Sequence, residues 1–281
     1  MKQWRFAFSP RWLGYLGVAI VFAVVCVLLA NWQLARREEK ETEIALVAEN
    51  FDATPVDVQE ALPELDHWRH DLEWLPVTLT GRYLIDEQTL VRNRPHNGQP
   101  GFDVLTPLQL ESGDVFIVDR GWLPTGSAQD EPDAVPRPPA GEVTVVARLK
   151  EGEPAIPGRG APDGQIATVQ LDELQDRIGA PTYTGAYGLL DSETPAPQDP
   201  PPLAVAKPVP DEGPHLSYAF QWFVFGILGF AFLGYAIRQE YRHRNADDPA
   251  ERARAAERER KRAARRTDAD IEDEIIDAAR R

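Results

Sequence analysis

The sequence predicts an α+β membrane protein in which two transmembrane helices enclose a mainly antiparallel β extracytoplasmic domain. Three observations predict this. No charged residue occurs among the 19 residues Trp12 to Ala30 or the 22 residues Leu216 to Ile237. The stretch between them is hydrophilic, so the mean hydropathy of the whole chain is only −0.38. That stretch also breaks into short apolar or alternating runs separated by turn residues, and few of those runs are long enough to be good helices.

Taken in order, residues 1–11 form a cytoplasmic N-terminus and residues 12–35 the first span. About 20 apolar residues at roughly 1.5 Å each cross a hydrocarbon core about 30 Å thick, and both runs satisfy that length. The competing reading of the first run is a cleaved signal peptide. Ala30-Asn31-Trp32-Gln33 offers no small-x-small cleavage site, which favours a retained anchor. The extracytoplasmic domain covers residues 36–194. Its expected strands are Leu75 to Thr80, Thr89 to Asn93, Phe102 to Leu110, Val115 to Asp119, Val143 to Leu149, Ala167 to Gln170 and Tyr183 to Leu190. Asn97-Gly98 and Glu111-Ser112-Gly113-Asp114 are turns between neighbours that should pair antiparallel. Expected helices are Arg36 to Glu49 as a continuation of the first span, roughly Val56 to Leu65, and Leu171 to Ile178, stopped by Gly179. Pro124 to Gly141, with five prolines, is irregular. Residues 195–214, with eight prolines, form an extended, stiff connector. The second span is 215–237, rich in aromatic residues and followed by Arg238, Arg242 and Arg244. Residues 238–281 are a charged helical tail whose helix starts at Asp248-Pro249-Ala250-Glu251, an N-cap, a proline at the first helical position and a capping glutamate. This tail lies on the membrane surface as a solvated helix or docks on an acidic partner or anionic lipid.

Lys and Arg counts set the orientation. They are nearly even around the first span, but the second has Lys207 before it against Arg238, Arg242 and Arg244 directly after. The expectation is therefore a multi-pass cell-membrane protein with cytoplasmic termini. Residues 38–214 carry 12 basic and 33 acidic residues and the whole chain a net −15, a balance that suits an outer domain kept away from anionic lipid and disfavours nucleic acid as a partner. The only cysteine, Cys26, sits inside the first span. The outer domain must therefore fold on its hydrophobic core without an intrachain disulfide.

Chemical motifs are scarce. There is no phosphate-binding Gly-rich loop and no nucleophile elbow, and no acid, base and nucleophile set points to an enzyme. His67-x-x-His70 with its neighbouring acids could, at helical spacing, offer two imidazoles and a carboxylate to a metal; the alternative is an exposed, mixed-charge helix end. More distinctive is the outer boundary of the spans. His215 stands one residue outside the second charge-free run, with Tyr218 and Trp222 at i+3 and i+7. Trp32 would lie at similar depth on the first span, with Arg36 and Arg37 just above it. An imidazole, aromatic faces and fixed positive charge together could hold a haem and face its propionates. The alternative is a set of ordinary interfacial anchors with a hydrated histidine.

Several motifs run in order along the chain: Trp32-Gln33-Leu34-x-Arg36-x-x-x-Lys40, Gly81-x-Tyr83, Arg92, Gly101, Thr106-Pro107-Leu108, Val118-Asp119-Arg120-Gly121-Trp122 and His215-Leu216-x-Tyr218-Ala219-x-Gln221-Trp222-Phe223. In these motifs and in its two-span architecture the sequence resembles the Surf-one (surfeit locus) family of cytochrome c oxidase assembly factors over most of residues 12 to 240. The resemblance implies a part in maturing aa3-type haem-copper oxidases. It also implies transient binding of haem a and its passage to the oxidase core subunit, with His215 as the proposed iron ligand. The partners expected are the oxidase subunits and the lipid bilayer. The alternative is a stably bound accessory subunit of the oxidase or respiratory supercomplex, with no cofactor of its own. Asp119 departs from the family pattern, which has Asn before Arg-Gly-Trp, and Gly213-Pro214 replaces polar residues before the histidine.

Arg120, Trp122 and Gln221 are the candidate docking residues, Trp and Arg being the types that carry interface energy. For Arg120-Gly121-Trp122 the alternative is a core corner, with Trp122 packed and Arg120 paired with an acid.

Overall fold

The computed structural model describes residues 2–263, which fall into two compact units, residues 39–212 and residues up to 38 together with 213 onward. Helix α1, Pro10–Asn50, is unbroken over 41 residues. Its first half is the predicted span and its second half the predicted continuation. The tail beyond residue 263 lies outside the described residues.

In the unit 39–212 the strands are β1 Val56–Asp57, β2 Pro76–Tyr83, β3 Thr89–Val91, β4 Gly101–Leu110, β5 Val115–Pro124, β6 Val143–Glu151, β7 Gln165–Ile166 and β8 Ala186–Thr194. The order β2-β6-β8-β5-β4 returns to β2, because β4 pairs with both β5 and β2, and so closes a five-stranded barrel. Closure occurs where Gly81 faces Leu110: a Cβ there would lie 2.1 Å from the Gln109 carbonyl oxygen, so only glycine lets the strands meet. Pro107 sits in the middle of β4 without breaking it. Its missing N–H falls where the far edge of β4 passes from β3, paired through Leu105, to β2, paired from Leu108. Most pairings are antiparallel, but β5–β8, β1–β2 and β3–β7 are parallel.

Strand alternation divides the core in two. Val77, Leu79, Leu108, Phe116, Val118, Val145 and Ala147 fill one cluster, to which all five barrel strands contribute. Val115, Ile117, Leu105, Tyr187 and Leu189 point the other way, against Leu171 and Leu174 of helix α3, Leu171–Ile178, which ends at Gly179. The β5 wall is therefore buried on both faces, and the two faces of Val118-Asp119-Arg120 open into different environments.

Two expectations need correction. Ala167 to Gln170 is no strand; the ladder with β3 is made instead by Gln165 and Ile166, and Thr168 and Val169 tie the chain to residues 153 and 154. Val56 to Leu65 is not one helix. Val56 and Asp57 pair with β2, and Asp57 caps a four-residue helix α2, Val58–Ala61, that ends before Pro63, whose ring disfavours helical backbone at Leu62. The connector 195–214 is fastened along its course: Leu203 forms two backbone hydrogen bonds with Trp122, and Lys207 pairs with Asp52 at 2.5 Å.

In the other unit, helix α4, His215–Arg244, packs along the first part of α1. Ala19, Cys26 and Ala30 of α1 and Ala219 of α4 are buried there, and a Cβ on Gly226 would lie 3.6 Å from that of Cys26. Small residues thus line this contact between two apolar helices. Both helices are long and apolar enough to cross a membrane. Helix α5, Pro249–Ala263, begins as predicted, the Asp248 carboxylate accepting the Ala250 N–H at 2.8 Å. Glu251 does not close a capping box; it pairs with Arg258 at 2.6 Å.

Candidate functional site

His215 is the first residue of α4 and is half-buried. Its Nδ1 lies 2.8 Å from Oε1 of Gln33 on α1. An amide oxygen can only accept, so this bond is made by Nδ1–H, and in a neutral ring Nε2 is the nitrogen whose lone pair could meet a metal. Along α4, His215, Ala219, Trp222, Gly226 and Gly229 recur at alternating steps of four and three and face α1, with Ala219 buried and Trp222 half-buried. Tyr218 falls off this seam and is 48% exposed, as Trp32 of α1 is 56% exposed. Of the aromatic faces expected beside the imidazole, Tyr218 and Trp32 are therefore exposed, whereas Trp222 stays on the seam.

A haem enclosed between the two spans does not fit this packing. Ala30 and Cys26 are fully buried, and a Cβ on Gly226 would lie 3.6 Å from Cys26 Cβ and 4.0 Å from Ala23 Cα, so at this depth the helices touch each other rather than enclose a macrocycle. His215 itself, with one imidazole nitrogen not engaged by Gln33, could hold the iron of a haem at the start of α4. Arg36 is exposed, Arg37 half-buried and Gln221 exposed.

The second constellation is the end of β5. Arg120 is 1% exposed. Its Nη1 donates to the Pro136 carbonyl at 2.8 Å, Nη2 stands 3.6 Å from the Glu193 carboxylate, and the guanidinium lies 5.8 Å from the centre of the Tyr83 ring. Tyr83 in turn donates to Glu193 at 2.9 Å, and burial together with that carboxylate holds its phenol well above the ordinary range. A side chain this enclosed has no surface to offer a partner. Arg120 is a core residue, contrary to the docking expectation, because strand alternation turns it to the barrel side with Val118. Trp122 is half-buried: its indole donates to the Arg94 carbonyl at 2.7 Å and its ring stands over Gly101 and 5.2 Å from His96. Between them Gly121 has φ 119°, and a Cβ would lie 2.4 Å from the Leu203 carbonyl oxygen. This is where the proline connector is strapped to the barrel.

Sequence reasoning missed the charge cluster on the other face of β5. Asp119, 3% exposed, accepts the Gly121 N–H at 2.9 Å. Nearby, Arg94 bridges Asp103 at 3.0 Å and Glu153 at 2.6 Å. Burial, with Asp103 adding repulsion, raises the Asp119 carboxyl to about 8, and burial raises Asp103 to about 6. Burial and the neighbouring Asp103 thus favour the protonated form of Asp119, which has the neutral, hydrogen-bonding outline of an asparagine. The departure of this position from the Asn-Arg-Gly-Trp pattern is chemically slight.

A cavity of about 720 Å³ is bounded by the α1 extension, Trp74 and residues 207–211. Its lysines are already paired: Lys40 with Glu43 at 2.6 Å, Lys150 with Glu73 at 3.3 Å and Lys207 with Asp52. Nothing in it selects a ligand charge. His67 and His70 do not share a helix, since His70 opens a three-residue 3-10 turn, and no cluster of three metal-ligating side chains occurs among the described residues.

Comparison with known proteins gives a match to the SURF1 family model over residues 20–227. The chain is 32% identical over 252 residues to an uncharacterized SURF1-like protein of Mycobacterium tuberculosis, covering 88% of this chain and 91% of that one. It is 24% identical to a SURF1-like protein of Rickettsia bellii, covering 74% and 84% of the two chains. A shorter stretch, 38% of this chain and 28% of the relative, is 27% identical to the cytochrome oxidase assembly protein SHY1 of Saccharomyces cerevisiae.

Proposed function

This chain belongs to the SURF1 family, and from that membership we propose that it acts in the assembly of cytochrome oxidase, as the name of its yeast relative states for that protein. Its two apolar helices anchor it in the cell membrane, with both termini cytoplasmic and the barrel outside, the orientation favoured by Arg238, Arg242 and Arg244 after the second span. The finer reading is that it holds haem a for delivery to the oxidase core subunit. Haem a brings an iron that accepts an imidazole nitrogen and propionates that accept guanidinium hydrogen bonds.

The observation that carries the haem reading is the Gln33–His215 hydrogen bond. It orients the ring at the first residue of α4, the arrangement by which outer partners fix a ligating histidine. Trp32 and Tyr218 would cover part of the macrocycle from the exposed flanks, and Arg36 and Arg37 would meet its charged edge. A second reading, a stable accessory subunit without a cofactor, is favoured by the closed α1–α4 seam, in which Gln33 and His215 simply complete the helix pair.

Optical spectra of the detergent-purified protein, produced in cells that make haem a, separate the two. His215→Ala should remove most bound haem at unchanged expression and membrane insertion. Full haem content with an unshifted Soret band would refute ligation by His215. A haem-free protein recovered stoichiometrically with active oxidase would establish the accessory role.

A further inference from the structure

At the end of α4 opposite to His215, two helix faces and the N-terminal segment converge on a cavity of about 520 Å³. The α4 contribution is Gly234, Ile237, Arg238, Tyr241 and Arg242, residues three, four, seven and eight apart and hence on one face. The α5 contribution is Glu251, Arg254 and Arg258, again one face. Trp4 closes the group, its ring stacked on Tyr241 with centroids 4.3 Å apart and planes at 16°. Among the described residues the lining holds four arginines and one carboxylate, and Glu251 is already taken by Arg258 at 2.6 Å and Arg254 at 3.7 Å. The cavity therefore carries an excess of three positive charges.

Its position sets the chemistry. Gly234 and Ile237 are the last turn of the charge-free run and Arg238 is the first charge after it, so the site straddles the edge of the hydrocarbon. One wall is apolar and aromatic and the other is guanidinium, at the depth where lipid phosphates lie. Guanidinium forks match phosphate oxygens bidentately. We propose that this cavity binds the phosphodiester headgroup of an anionic phospholipid of the surrounding leaflet, with Arg238 and Arg242 on the span and Arg254 and Arg258 on α5 as phosphate ligands and Trp4 and Tyr241 beside the glycerol. The site would hold α5 to the membrane surface. It rests on α4 crossing a membrane and is independent of any role in oxidase assembly.

The test uses the full chain in mild detergent, titrated with dioleoylphosphatidylglycerol or dioleoylphosphatidylcholine, with retained lipid counted by native mass spectrometry. The phosphatidylglycerol complex should survive and the phosphatidylcholine complex should not. The double variants Arg238→Gln with Arg242→Gln, and Arg254→Gln with Arg258→Gln, remove the same charge from two different helices; each should weaken phosphatidylglycerol retention on the order of tenfold. Arg260→Gln with Lys261→Gln also loses two charges from α5 but lies outside the lining, and should retain the lipid. Equal retention of the two lipids overturns the proposal. An equal loss in the third variant overturns it as well, because the attraction would then be diffuse. Displacement by millimolar inorganic phosphate would make this a free-anion site and end the lipid assignment.

Discussion

Replacing Asp119 by Asn should stabilise the barrel near neutral pH, and the gain should vanish in acid. The carboxyl is 3% exposed and is raised from an ordinary 3.8 to about 8 by burial and by Asp103. Between those values the folded chain keeps a proton that the unfolded chain releases. A raised carboxyl of this kind contributes its full stability below pH 3.8 and loses it progressively as pH rises towards 8, at about 1.4 kcal/mol per pH unit. At pH 7 roughly three units have been lost, about 4 kcal/mol. Asn is neutral at every pH and keeps an oxygen for the Gly121 N–H, 2.9 Å away in the parent. It should recover about 2–4 kcal/mol at pH 7, the lower figure applying if Asp103 takes over part of the proton binding. For a chain of this size that is a rise of the order of 5–15 °C in Tm. Tryptophan-fluorescence melts of the detergent-solubilised protein at pH 4, 5, 7 and 8 would measure it. The reasoning fails if the variant melts at or below the parent at pH 7, or if its advantage is the same at pH 4.

Arg120→Leu should destabilise the barrel by about 3–5 kcal/mol, because it strands Glu193 in the interior; Arg120→Lys should not restore it, since one ammonium cannot reach both Pro136 and Glu193. Melts report both, and an unperturbed Arg120→Leu would return the side chain to the surface. Gly121→Ala should release the proline strap, since its Cβ would lie 2.4 Å from the Leu203 carbonyl oxygen; limited proteolysis within residues 196–212 should accelerate several-fold at unchanged barrel signal, and an unchanged cleavage rate would count against strapping. For orientation, Asn97→Cys in a Cys26→Ala background should react with an impermeant maleimide from outside intact cells; labelling only after the membrane is opened would invert the topology.

Much of this protein is legible before folding, for reasons that are local. Charge-free runs of 19 and 22 residues define the helices, because a buried charge in hydrocarbon is costly wherever the rest of the chain lies. Asn97-Gly98, Glu111 to Asp114 and Gly179 mark turns and a helix end from their own backbone preferences; β6 follows from alternation, and β4 and β5 from short apolar runs between turns. His215 stands out for a like reason, a lone imidazole at the edge of a charge-free run. What the sequence left open depends on partners far along the chain. Whether Arg120 faces a partner or the core was decided by β5 lying between β8 and β4 with a core cluster over each of its two faces. The short β1 and β7 exist because β2 and β3 offer them an edge, not because two residues favour extension. The buried acid of Asp119 arises from Arg94, Asp103 and Glu153, separated from it by up to 34 positions and brought together by register. The seam that places His215 on Gln33 joins residues 182 apart. Local preference is written residue by residue and can be read so; burial and charge pairing are properties of the closed barrel and of the paired helices, and come into being only when distant segments meet.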